Sequence, residues 1–122
     1  MTSKAGILFM RLLAHLPLRW IRALGWLLGW FLYFVVVPRR HVVKVNLALC
    51  FPGWTAQRRA QLVPRIFVAI AQSWLDRSWL WHGAPEVTRS RMKLTGAVDA
   101  LRGSRPTVVF APHFVGMDAG WT

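Results

Sequence analysis

His113 and Asp118 stand five residues apart in His-Phe-Val-Gly-Met-Asp, directly after the apolar run Pro106-Thr-Val-Val-Phe-Ala-Pro112. An imidazole, with an ordinary pKa of about 6.5, is the usual general base near neutral pH. A carboxylate on its other ring nitrogen fixes tautomer and orientation. Such a pair can take the proton from a hydroxyl and leave a nucleophile behind. His15, His41 and His82 lack this partner, since Trp20, Asn46 and Val87 follow them at the same spacing. On spacing alone a structural loop histidine accounts for His113 equally well, so the surrounding elements decide.

Five residues on a continuous helix turn the chain by about 500°, which would part the two side chains. They meet only if His113 lies in a turn and Asp118 in the first turn of a following helix. Pro112 favours that boundary by holding Ala111 extended, and Gly116 permits a close backbone approach. Thr107 to Ala111 reads as a buried strand, and sites of α/β sheets open at the carboxyl ends of strands. Upstream, Arg91 to Thr95 reads as a first strand and Ala97 to Arg102 as a short helix ended by Gly103. The expected fold class is α/β: an N-terminal membrane-anchor helix and a helical region, followed by the start of an α/β domain.

Sixteen Lys and Arg stand against four acids, a net charge of +12. The acids (Asp76, Glu86, Asp99, Asp118) all follow position 75, and ten of the bases precede it. Nucleic acid, anionic lipid or an acidic protein would be drawn to such a chain. Eight tryptophans and 55% apolar residues favour the lipid interface, where indole rings anchor at headgroup level. No nucleic-acid motif is present, and no nucleic-acid partner is expected. Cys50 is the one cysteine, which excludes an internal disulfide and a multi-cysteine metal centre; no metal is expected.

Ala23 to Val37 is free of charge and flanked by Arg19, Arg22, Arg39 and Arg40. As a helix it spans about 22 Å, short of a hydrocarbon core of ~30 Å. Extending it toward Leu12 would bury Arg19 and Arg22 unless they snorkel. Both flanks are basic and both resist export, so a shallow or re-entrant insertion from the cytoplasmic leaflet satisfies them best. Residues 1–38 are therefore expected to form a hydrophobic anchor and 39–122 the first part of a second domain. Pro52-Gly53 breaks the chain, and Thr55 is a candidate N-cap. Pro64 restarts or kinks the helix that follows. Ile66, Phe67, Ile70, Trp74 and Leu80 then form a stripe expected to pack in the core. Gly83-Ala84-Pro85 closes the helical region.

Taken in order, these segments resemble the late (lauroyl/myristoyl) acyltransferases of lipid A biosynthesis, within the lysophospholipid acyltransferase superfamily. The resemblance covers nearly the whole chain. It is carried by the hydrophobic N-terminus, Arg39-Arg40, Asn46-Leu47-x-x-Cys50-Phe51-Pro52, Leu94-Thr95-Gly96 and the His113-x4-Asp118 motif. The resemblance implies that His113 is the general base on an acceptor hydroxyl and that Asp118 orients it. It further implies acyl–acyl-carrier protein as donor, a lipid A precursor as acceptor, no cofactor, and the cytoplasmic face of the bacterial inner membrane. Arg39, Arg40 and Arg105 are candidates for contacts to lipid phosphates, against the alternative of a solvated basic face. Lipid A branches often carry Glu where this chain has Asp118, which changes the reach by one methylene. The family's later blocks have no counterpart here, so an N-terminal portion of a longer enzyme is expected. The same chemistry on a lysophospholipid or another glycolipid, or an inactive membrane-bound fragment, are the alternatives.

Overall fold

A computed structural model describes residues 4–93 together with 95, 96, 99, 106, 108, 118 and 119. Five helices follow one another: α1 (Lys4–Ala14), α2 (Leu18–Val35), α3 (Val37–Cys50), α4 (Ala56–His82) and α5 (Pro85–Arg91). Helix α4 is the hub, and each of the other four packs against it. Thr55 caps it as expected, its hydroxyl accepting from the Arg58 amide at 3.2 Å. Pro64 lies within α4 without ending it.

The buried line along α4 is Val63, Phe67, Ala71, Leu75 and Trp79, one residue in four. The stripe expected from the sequence only half coincides with it. Phe67 and Leu80 are buried, while Trp74 is 61% exposed and Ile70 is also on the surface. Toward the carboxyl end of α4, Leu75, Trp79 and Leu80 join Leu13 of α1 and Ile21 of α2, and Ala119 packs on this cluster. Toward its amino end, Val63 and Phe67 join Leu47 of α3.

Helices α2 and α4 cross at Gly25 and Gly29, both buried. A Cβ at Gly29 would lie 2.4 Å from Val68 Cα, and one at Gly25 would lie 2.9 Å from Gln72 Cα. Those contacts are backbone, so no rotamer change relieves them. Gln72 Nε2 donates to the Arg22 carbonyl at 3.0 Å beside this crossing.

Two expectations are corrected. The first is the α/β start. Among the described residues the regular structure is helical, and none lies in a strand. Arg91, proposed to open a first strand, ends α5, and Lys93 and Thr95 pair with no strand. The physical reason lies in the preceding residues: Pro85 begins α5, Glu86 sits in its first turn, and Arg89 and Arg91 sit in its last. This is the charge and proline order that a helix dipole favours. Of the second expected strand only Val108 is described, and it is not in one; residues 107 and 109–111 lie outside the described residues. Of the short helix expected at 97–102, Asp99 alone is described, in a 3-10 turn.

The second correction concerns the N-terminal anchor helix. No single described helix is long and apolar enough to cross a membrane. The chain breaks at His15-Leu16-Pro17 and again at Val36, where α2 and α3 meet at 95°; only together, as that bent pair, are they long and apolar enough. Arg22 Nη2 pairs with Asp76 Oδ2 of α4 at 2.9 Å.

Closing the helix crossing to side chains tests the packing. Gly29→Val is expected to cost about 1–3 kcal/mol as an overpacked contact, seen as a lower midpoint of thermal unfolding. Gly53→Ala, with open space around its Cβ, is the control and should leave the midpoint nearly unchanged.

Candidate functional site

Asp118 lies in a 3-10 turn with Ala119 and faces α4. Arg77 Nε donates to Asp118 Oδ2 at 2.8 Å, bridging 41 residues of sequence. Both side chains are about three-quarters buried, at 27% and 26% exposure. The Arg77 guanidinium lies near the faces of Trp74 and Trp81, at 4.7 and 5.3 Å from their ring centroids. These residues precede and follow it by three and four positions, so the three side chains share one helix face.

The preceding residue fixes α4 on its other side. Asp76 accepts from Arg22 and from Trp79 Nε1, the latter at 3.0 Å. Arg91 lies over the Trp79 ring at 5.3 Å and donates through Nη2 to the Leu16 carbonyl at 3.0 Å. A cavity of about 210 Å³ opens among Arg22, Asp76, Trp79, Arg91 and Asp118. The acid of the His-x4-Asp motif thus lines a small cavity of mixed charged and apolar walls, roofed by α4, α5 and the start of α2.

His113 and Arg105 lie outside the described residues. Arg39 is exposed near the start of α3. Arg40 folds back over Tyr33, 5.1 Å from its ring centroid, and donates through Nη1 to the Tyr33 carbonyl at 3.4 Å. Helix α3 packs at Val63 and Phe67, ten or more residues before Arg77, which is roughly 15–20 Å along α4. Arg39 and Arg40 therefore belong to a different end of the molecule from Asp118.

The Asn46-Leu47-x-x-Cys50-Phe51-Pro52 segment ends α3 and enters the turn to α4. Leu47 is buried against Val63 and Phe67, whereas Asn46 and Cys50 are exposed. Phe51 stacks on Trp54 at 4.3 Å, Arg58 lies 3.9 Å from the Trp54 ring centroid, and Arg59 Nη1 donates to the carbonyls of Phe51, Pro52 and Trp54. The described contacts of this motif are those of a braced helix–turn–helix corner. Arg77 and Arg59 were both missed in the sequence. Arg77 could have been found from its placement between two tryptophans at helical spacing, directly after an acid.

With this geometry in place, comparison with known proteins supplies the family. The model of the bacterial lipid A biosynthesis acyltransferases matches residues 1–122, and the chain belongs to that family. A lipid A biosynthesis acyltransferase of Haemophilus influenzae is 37% identical over 67 residues. That alignment covers 55% of this chain and 21% of the relative, so the matched segment spans about a fifth of the relative's length. No solved structure matches the chain.

Asp76 offers a test of how the cavity wall is held. Asp76→Ala leaves the largely buried Trp79 indole N–H without its acceptor and should cost about 1–3 kcal/mol. Asp76→Asn keeps an acceptor oxygen for that N–H and should lose less. Chemical unfolding of the two variants compares them directly.

Proposed function

We propose that this protein transfers a fatty acyl group from acyl–acyl-carrier protein to a hydroxyl of a lipid A precursor, with His113 as general base and Asp118 as its orienting acid. The observation that carries this is the His113-x4-Asp118 motif in a member of the family, with its acid held against α4 by Arg77 and lining a small cavity. A hydroxyl is a poor nucleophile at neutral pH, so proton removal by His113 as the carbon–oxygen bond forms is the step that needs help. The acceptor oxygen attacks the thioester carbonyl carbon, and the carbonyl π electrons move onto its oxygen. Collapse of the tetrahedral intermediate restores the carbonyl, breaks the carbon–sulfur bond and expels the thiolate. His113 then returns the proton to sulfur. No acyl-enzyme is needed, because acceptor and donor react directly.

The same proposal places the protein on the cytoplasmic face of the bacterial inner membrane, against anionic lipid. Support comes from α2, which is apolar on two opposite sides. Ile21, Gly25 and Gly29 are buried toward α4, while Trp20, Leu24, Leu27, Phe31 and Phe34 form an exposed stripe on the far side. Leu8, Phe9 and Leu12 of α1 are exposed as well. A helix with a second apolar stripe facing outward needs a second apolar neighbour, and a lipid surface is the neighbour that the basic charge of this chain attracts.

His113→Ala is expected to lower transfer by about 10²–10⁴-fold, the range of a lost general base. The assay uses membranes containing the protein, acyl–acyl-carrier protein and a lipid A precursor, with a lysophospholipid as the competing acceptor. Near-wild-type transfer would remove His113 from the chemistry, and preference for the lysophospholipid would reassign the acceptor. For the lipid surface, Leu27→Glu with Phe31→Glu should release the protein from vesicles containing anionic phospholipid in a flotation assay. Unchanged flotation would place the membrane contact elsewhere.

A further inference from the structure

On the acyl-transfer reading proposed above, we propose that Arg77 of α4 is a positioning residue for the His113–Asp118 pair: it fixes the Asp118 carboxylate in the orientation from which that carboxylate aims the imidazole. Three features of the structure carry this. The first is the ion pair itself, made through Arg77 Nε at 2.8 Å. Nε sits on the side-chain stem, so the contact has less rotational freedom than one made at the tips of the guanidinium fork. A carboxylate offers about four lone-pair sites on two oxygens and can accept from an arginine and an imidazole together.

The second feature is the pre-organisation of Arg77. Trp74 and Trp81, both more than half exposed at their own positions, flank the guanidinium. Cation–π contacts of this kind hold the charge over the rings without neutralising it. An arginine held only as surface decoration would lose side-chain entropy for a contact of small net value. Here the entropy is already spent before Asp118 arrives.

The third feature is the orientation of α4. Asp76 is tied to Arg22 of α2, which sets the rotation of α4 about its axis, and Trp79 Nε1 on the same helix steadies the carboxylate. One residue later and about 100° around the helix, Arg77 is thereby directed at the Asp118 segment. That segment is held from a second direction as well, because Ala119 packs on the Leu75–Trp79 cluster. The helical region thus does more than support a site made elsewhere. It reaches into the catalytic motif with one guanidinium.

Steady-state kinetics of the protein in its native membrane test this. Arg77→Gln should lower kcat by about 10²-fold, the scale of a catalytic group displaced by ~1 Å, with KM for both substrates nearly unchanged. Arg77→Lys should recover part of the loss, and should be the more informative variant if Arg77→Gln fails to accumulate. Combined with Asp118→Asn, Arg77→Gln should add little, because both changes disable one unit. The inference is overturned if Arg77→Gln keeps wild-type kcat, if it alters KM alone, if Arg77→Lys is no better than Arg77→Gln, or if the two losses multiply in the double variant. His113→Ala assayed in parallel separates the two levels: full activity there removes the acyl-transfer reading itself, whereas an inactive His113→Ala beside an active Arg77→Gln removes only the role of Arg77.

Discussion

The close crossing of α2 and α4 at Gly25 and Gly29 is the constraint on which the rest of this structure depends. Backbone atoms of Val68 and Gln72 occupy the space that side chains at the two glycines would need. The approach brings Gln72 to the Arg22 carbonyl and Arg22 to Asp76. Asp76 in turn sets the rotation of α4, and with it the direction of Arg77. A contact that has no chemistry of its own therefore decides where the acid of the His-x4-Asp motif is met.

Bringing α2 onto α4 also divides the surface of α2. One side is consumed by the crossing and the opposite side, with Trp20, Leu24, Leu27, Phe31 and Phe34, is left outward. The Val36 break turns α3 through 95° and carries the basic residues Arg39, Arg40 and Lys44 onto a different axis. Apolar stripe and basic helix are thus adjacent in sequence and separated in direction. That arrangement suits a body lying at an anionic lipid surface, where rings enter the acyl boundary and cations stay at the headgroups.

Parts of this were legible in the sequence for plain local reasons. Thr55 as a cap, Pro52-Gly53 as a breaker and the charge-free run after Ala23 each depend on neighbouring residues alone. The resemblance to lipid A acyltransferases was legible from motifs, and the family match agrees with it. The failures come from information that is not local. Ile70 and Trp74 repeat at helical spacing as well as Phe67 does, but the buried line is set by where α2 and α3 cross α4, which favours Ala71 and Leu75. A strand beginning at Arg91 is the local reading, yet Pro85, Glu86 and the basic residues at 89 and 91 place Arg91 at the end of a helix, and Met92 is extended after it without a strand partner among the described residues. Arg77 carries no motif and becomes visible only when Asp118, 41 positions away, is seen against it.

The proposed reaction adds an acyl group to a lipid A precursor. Mass spectrometry of lipid A from cells in which its gene is deleted tests this most directly. The account predicts a lipid A species lighter by one secondary acyl chain, with the ester-free 3-hydroxyl left on the primary chain and the missing mass restored by the intact gene. An unchanged lipid A profile, with the loss falling on glycerophospholipids or on nothing, would contradict it.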